Sequence, residues 1–275
     1  MDKKRFNLKK AAMIVACFTV ITMFASCEKD NPDTNTGDVK LLDTETIGLY
    51  NNRRFMYDNK HRLKEIWRLS GGEVYEKAFI TYTGEDLTKL EYAYLVEGEF
   101  VVMDTRNYVK NGNTISFSMA VELIEGEGEK EGSYNIISTI TLNNDGFPDK
   151  IEEELLGMSW VIYYTYVNGN LTNLSSVEKG YGSEETRETN YTYATQRSAY
   201  SGCNTPKWFM FLHFKEDASH NSLKEYTYEI IDARGYKFVW TKTYEYVYDS
   251  DEFPTKCTAN NMFGEQVIIE FKYQN

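Results

Sequence analysis

KTYEYVYDSDEFPTKC, Lys242 to Cys257, holds a strand, a turn and the start of a second strand. Tyr244, Tyr246 and Tyr248 alternate with Glu245 and Val247, a period of two that sets the three rings on one face of a strand. A polar Asp-Ser-Asp-Glu run breaks the alternation, and Phe253 resumes it with Cys257 four positions on. The same order recurs in MYDNKHRLKEI (56–66), TYTGEDLTKL (81–90), TLNNDGFPDKI (141–151) and TYVNGNLTNL (165–174). Each copy has a strand end, a turn of Asn, Asp or Gly, then Leu or Phe, with an apolar residue or cysteine three or four positions later. Leu63 to Leu87 and Phe147 to Leu171 are equal steps of 24 residues, so one unit is about two strands with two turns. One hairpin cannot bury its face alone, so neighbouring copies are expected to pair edge to edge.

The rest of the chain has the same chemistry. EYAYLVEGEF, NYTYAT, EYTYEIID and VIIEFKYQN alternate aromatic or β-branched residues with polar ones. Gly71–Gly72, Asn111–Gly112, Asp145–Gly146 and Asn168–Gly169 stand between such runs as hairpin turns. Only TPKWFMFLHF (205–214) breaks the alternation in a way that suits a helix. The expected fold is all-β: an elongated, twisted antiparallel β-meander of repeated hairpins, as an open sheet or a partly closed barrel, with few or no helices. It occupies a single domain over residues 43–275.

The N-terminus is of another kind. Lys3, Lys4, Arg5, Lys9 and Lys10 precede an uncharged run, Ala11–Ala25, which gives residues 1–26 the form of a secretory signal peptide. That run is short of the ~20 residues of a spanning helix. Phe24-Ala25-Ser26-Cys27 resembles the bacterial lipobox, with Phe24 where leucine is usual, and this implies that Cys27 carries lipid. Acyl chains at ~0.8 kcal/mol per buried methylene would hold the chain on a membrane. Residues 27–42 then form a tether; NPDTNTGDVK (31–40) is polar and without apolar period. Glu28, Lys29 and Asp30 resemble the export signal of Bacteroidota surface lipoproteins, which implies the outer membrane facing the exterior; the periplasmic face is the alternative.

YDNKHRLKEI resembles the YD-type hairpin unit of RHS-like repeat proteins. With the lipobox, the pattern is similar to a group of Bacteroidota lipoproteins of unknown function, and NTPKWFMFLHFKEDASHNSL (204–223) is similar to the Asn-Pro insertion that interrupts their repeats, although Thr205 separates Asn204 from Pro206. The resemblance implies an elongated antiparallel sheet described as porin-like. It implies no activity and no functional residue beyond Cys27.

Formal net charge is −12, and without residues 1–26 the chain keeps 25 basic and 41 acidic residues, a net charge of −16. Such a surface repels phosphate backbones, so nucleic acid is not an expected partner. Cys203 and Cys257 are either a disulfide, which an exported location permits, or two separate buried thiols.

Catalytic motifs are missing: no G-x-S-x-G, H-E-x-x-H or Cys-x-x-Cys occurs. His61 falls in a repeat turn, and His213 and His220 flank FKEDAS, where a solvated loop is expected rather than a metal site with Glu216 or Asp217. EGEGEKEG (125–132) reads as a long hairpin tip, and NNDGFPD (143–149) as a β-turn rather than a calcium loop. No cofactor or metal is expected.

Aromatic residues are abundant, at 22 Tyr, 15 Phe and 4 Trp. Most are expected to build the core through cross-strand pairs. Rings left exposed would form a platform for a ligand; Trp208, Trp67, Trp160 and Trp240 are the candidates, although a ring-rich insertion such as that around Trp208 folds back into a core more often. The function expected is therefore a non-catalytic, lipid-anchored binding protein at the outer-membrane surface, taking a glycan or an outer-membrane protein. The alternatives are a structural role, with an uncovered edge such as VIIEFKYQN offered to another strand, and a hydrolase with its cleft at the interrupting segment.

Overall fold

A computed structural model describes residues 40–48, 51–123, 132–155, 157–180, 183–232, 234–260 and 265–274. The signal peptide, Cys27, most of the tether and the 125–131 part of the acidic run lie outside them. Seventeen strands follow in order: β1 Leu42–Ile47, β2 Asn51–Tyr57, β3 Leu63–Ser70, β4 Glu73–Thr83, β5 Asp86–Val96, β6 Glu99–Asn107, β7 Val109–Asn111, β8 Thr114–Leu123, β9 Gly132–Leu142, β10 Pro148–Leu155, β11 Met158–Val167, β12 Asn170–Gly180, β13 Ser183–Arg197, β14 Asn221–Ile231, β15 Lys237–Tyr248, β16 Pro254–Asn260 and β17 Gln266–Tyr273. One helix, α1 Lys207–Phe214, lies between β13 and β14.

The strands form an antiparallel meander that is nearly closed into a barrel. β1 pairs with β2 on one side and with β17 on the other, Leu42 standing opposite Tyr273 and Thr44 opposite Arg54. VIIEFKYQN is therefore not an open edge: β17 is laddered to both β16 and β1. One interruption exists among the described residues. β6 pairs with β5 as far as Asn107, and after a single residue β7 pairs with β8. Tyr108 is the switch point; its N–H still donates to Thr88 O on β5 at 2.9 Å, and its ring is buried.

The repeated turns explain the sequence pattern. Asp58 Oδ1 accepts the N–H groups of Lys60 and Arg62, Asn143 Oδ1 those of Asp145 and Phe147, and Asp249 Oδ1 those of Asp251 and Phe253. Each side chain supplies a carbonyl-like acceptor two and four residues on, which a short Asx side chain alone can reach. The fourth turn position takes positive φ: His61 at 61°, Gly146 at 80° and Glu252 at 66°. Strand direction sets these turns, with those at Gly84–Glu85 and Asn168–Gly169, at one end of the barrel. There Leu63, Leu87, Phe147, Leu171 and Phe253 point inward and are buried.

The segment between β13 and β14 closes that end. Trp208, Phe209, Met210, Phe211, His213 and Phe214 of α1 are all buried, as expected for a helix apolar on nearly every side. Phe211 packs against Phe147 and Tyr166, and Trp208 and Phe209 against Tyr108. The plug is tied to two repeat turns: Thr205 Oγ1 accepts from Leu63 N–H, and Ser219 Oγ from Leu171 N–H.

Alternation separates the two faces of the wall. On β10, Ile151 and Leu155 are buried while Lys150, Glu152 and Glu154 face out; on β17, Ile269 is buried while Glu270 and Lys272 face out. A barrel crossing lipid carries an apolar outward band and a polar lumen. These two strands have the reverse arrangement, and the interior is a packed core. Cys203 and Cys257 lie in that core as two separate thiols and are not bridged.

Candidate functional site

Register brings charges together inside the barrel. Glu45 stands opposite Arg53, Arg53 opposite Arg68, Arg68 opposite Glu76, and Glu76 opposite Tyr94, one row across β1 to β5. Arg53 lies 3.6 Å from Glu45, and Arg68 3.3 Å from Glu76. Glu45 is wholly enclosed and neither carboxylate oxygen has a hydrogen-bond partner. Burial pushes its carboxyl up to about 8, against the pull of Arg53. Burial likewise holds Asp217 well above the usual carboxylate range, and neighbouring Glu216 and Glu45 add to the effect.

Two small cavities adjoin this row. One of about 30 Å³ lies among Arg53, Arg68, Glu76, Tyr92 and His213; the other, about 20 Å³, lies among Glu45, Ser198, Asp217, Tyr244 and Tyr246. Each has room for about one or two waters and no more. His213, expected in a solvated loop, is instead sealed in the core with its Nε2 3.3 Å from the Tyr108 hydroxyl. Burial, with Arg106 and Arg68 nearby, holds its pKa well below the usual value. The segment folds inward because four aromatic rings flank it, and the histidine travels with them. His61 is exposed in its turn. Among the described residues no group of three or more His, Cys, Asp or Glu is placed to hold a metal ion. The two cavities beside the charged row are thus water-sized.

The four tryptophans are dispersed. Trp208, considered as an exposed platform, is 5% exposed and belongs to the plug, because the helix that carries it has no polar face. Trp160 is half-buried against Met119, Ile136 and Leu155. Trp240 lies inside the wall with Tyr228 at 4.3 Å. Trp67 is on the outer wall, its Nε1 donating to Glu65 and its ring covered by the Lys77 ammonium at 4.4 Å. None of the four is an exposed residue.

Exposed apolar surface gathers elsewhere, at the barrel end away from the plug. The β5–β6 hairpin exposes Tyr94, Leu95, Val96, Val101, Val102 and Met103, and Tyr75 on β4 joins it. Leu95 stands opposite Phe100, and Trp67, Lys77, Ala93 and Val102 follow one another across β3 to β6. Lys77 also lies 4.1 Å over the Phe100 ring, so its aliphatic stem joins the aromatic residues into one surface. A second hairpin at the same end, β14–β15, exposes Ile231, Tyr236, Phe238 and Val239. Sequence reading missed the first patch because it weighed tryptophans singly; the signal was YLVEGEFVVM (94–103), a hairpin apolar on both faces of its strands.

The tether enters at the other end. Lys40 pairs with Asp249 at 2.7 Å and with Asp251, in the turn beside the plug. The exposed apolar hairpins and Lys40, where the described residues begin, are at opposite ends of the barrel.

No family model matches this chain, and no curated protein does. A crystal structure of a porin-like protein from Bacteroides vulgatus ATCC 8482 is similar at a TM-score of 0.42 and 12% identity, over 86% of this chain and 99% of its own.

Proposed function

We propose that this is a non-catalytic binding protein of the bacterial envelope, held by lipid on Cys27 and presenting its free end to a protein partner. One observation carries the reading: the apolar patch of Tyr75, Leu95, Val101, Val102 and Met103 is at the end opposite Lys40, where the tether joins. A lipid at Cys27 would hold the plug end towards the membrane and turn the patch away from it. Contiguous exposed apolar surface marks interaction sites on proteins whose remaining wall is charged. Aliphatic residues dominate the patch and Lys77 covers Trp67, which favours a protein over a sugar ring. The repeat resemblance and the export-like Glu28-Lys29-Asp30 support display on the cell surface.

The test is site-specific photo-cross-linking on intact cells, with the photoreactive residue at Leu95 and, as control, at Glu245 on the outer wall. A discrete adduct from Leu95, absent from Glu245 and lost in Val101→Asp, is expected. Identical adducts at both positions, or none at Leu95, would overturn the reading.

A further inference from the structure

We infer that β6 is an accepting edge for one extended strand of the partner, so that the seam at Tyr108 is the place where another chain completes the ring. This deepens the binding role proposed above and rests on it. Neighbouring strands elsewhere in the ring carry a ladder; between β6 and β8 no residues are paired among the described residues. They meet near Tyr108, where the chain passes from one to the other. Towards the free end, residues 99–105 of β6 pair on the β5 side alone, and residues 117–123 of β8 on the β9 side alone.

The edge exposes hydrogen-bonding groups. Glu97 and Gly98 both take positive φ, the two-residue turn in which the flanking pair Val96/Glu99 is hydrogen-bonded. Antiparallel alternation then makes Tyr94/Val101 another bonded pair and turns the N–H and C=O groups of Phe100 and Val102 away from β5. Native sheets protect such edges with lysine, proline or a cover. Here Val101, Val102 and Met103 are 45%, 48% and 63% exposed, and EFVVMDTRN has neither lysine nor proline. The bulge at Met103, between Val102 and Asp104, and the inward Asp104–Arg106 pair beyond it are the protective devices on the described strand.

The occupant follows from the surroundings. Main-chain groups on β6 call for an extended backbone, as in strand addition. Met119, Ile136 and Leu155 with Trp160 form a separate small cluster on the inner side of β8 to β11, suited to apolar residues on the inward face of the entering strand. Glu97 and Glu99 are exposed at the free end of β6, while Asp104 is already held by Arg106, so the entering strand suits Lys or Arg near that end. The partner is therefore a segment with β-branched residues alternating with basic ones. A second copy is a poor candidate: antiparallel pairing of two β6 edges inverts one barrel, which would carry the two Lys40 ends, and a lipid anchor preceding them, apart.

The test uses the lipid-free mature chain and a blocked nine-residue peptide of alternating Lys and Val, followed by hydrogen exchange resolved to single amides. In the chain alone, the amides of Phe100 and Val102 exchange at least tenfold faster than that of Val101. Peptide slows both at least tenfold; the same peptide N-methylated at alternate valines, with equal charge, does not. Val102→Pro, which removes one edge donor where an edge tolerates proline, and Met103→Lys each weaken peptide binding tenfold or more. Amides already protected in the free chain, equal protection by the N-methylated peptide, or concentration-dependent protection that marks self-pairing would each overturn the inference. Cross-linking at Leu95 decides the binding role separately, since it needs no ladder.

Discussion

The backbone N–H of Leu63 donates to the hydroxyl of Thr205 at 2.7 Å across 142 residues of chain. Ser219 does the same for Leu171 at 3.0 Å, so two plug hydroxyls serve the equivalent leucine of two repeats. Both leucines follow register shifts, at Met56/Tyr57 and at Thr165/Tyr166, where the ladder alone cannot pair every amide. Thr205→Val keeps the shape and removes the acceptor. It should cost about 1–3 kcal/mol, the penalty for an unpaired buried donor, read from urea unfolding. A loss below a few tenths would mean that the plug is not held by this bond.

Glu252 occupies a turn position that Gly146 fills in the equivalent turn of another repeat, with φ of 66° and 80°. Left-handed backbone costs a residue with a Cβ roughly 1–2 kcal/mol, and glycine gives back part of that through a freer unfolded chain. Glu252→Gly should therefore stabilise by up to about 1 kcal/mol. A lower Tm in the variant would contradict this.

Trp208→Ala should be the costliest of the four tryptophan substitutions, at about 3–5 kcal/mol, as for large-to-small changes in packed cores. Trp67→Ala should cost much less, because Trp67 lies on the outer wall beneath one lysine. Equal losses would argue against a plug.

Glu45 should make stability depend on pH. Its carboxyl is raised from 4.5 to about 8, so the folded state holds the proton more tightly than the unfolded chain. Its contribution is complete below about 4.5 and is lost as pH rises towards 8. Glu45→Gln removes that loss, so the variant should gain on the native chain by up to about 1.4 kcal/mol per pH unit between 5 and 8. Above 8 the difference should level off. A pH-independent difference in denaturant midpoints would show that Glu45 stays charged inside the fold.

Much of this architecture was legible in the chain. Asp58, Asn143 and Asp249 mark turns because their side chains replace a backbone acceptor, and that chemistry is local. Tyr244, Tyr246 and Tyr248 share an inward face, as a period of two requires. Ring closure was not legible, since whether β17 meets β1 or stays an edge depends on the accumulated twist of the intervening strands. The Glu45–Arg53–Arg68–Glu76 row was hidden for a similar reason: its members are neighbours only once four registers are fixed. Tyr108 gave no sign either, because RNYVK reads as continuous strand up to the Asn111–Gly112 turn; a change of partner leaves the side-chain period unchanged.

The pairing of Leu42 with Tyr273 joins the two ends of the folded body. Contacts so remote in sequence are slow to form, because most of the chain must be ordered first. The barrel therefore cannot close until its last strand is present; β1 must wait for β17. Deleting residues 266–275 would leave β1 and β16 each with a bare side, and would turn a molecule with one seam into a sheet prone to aggregate.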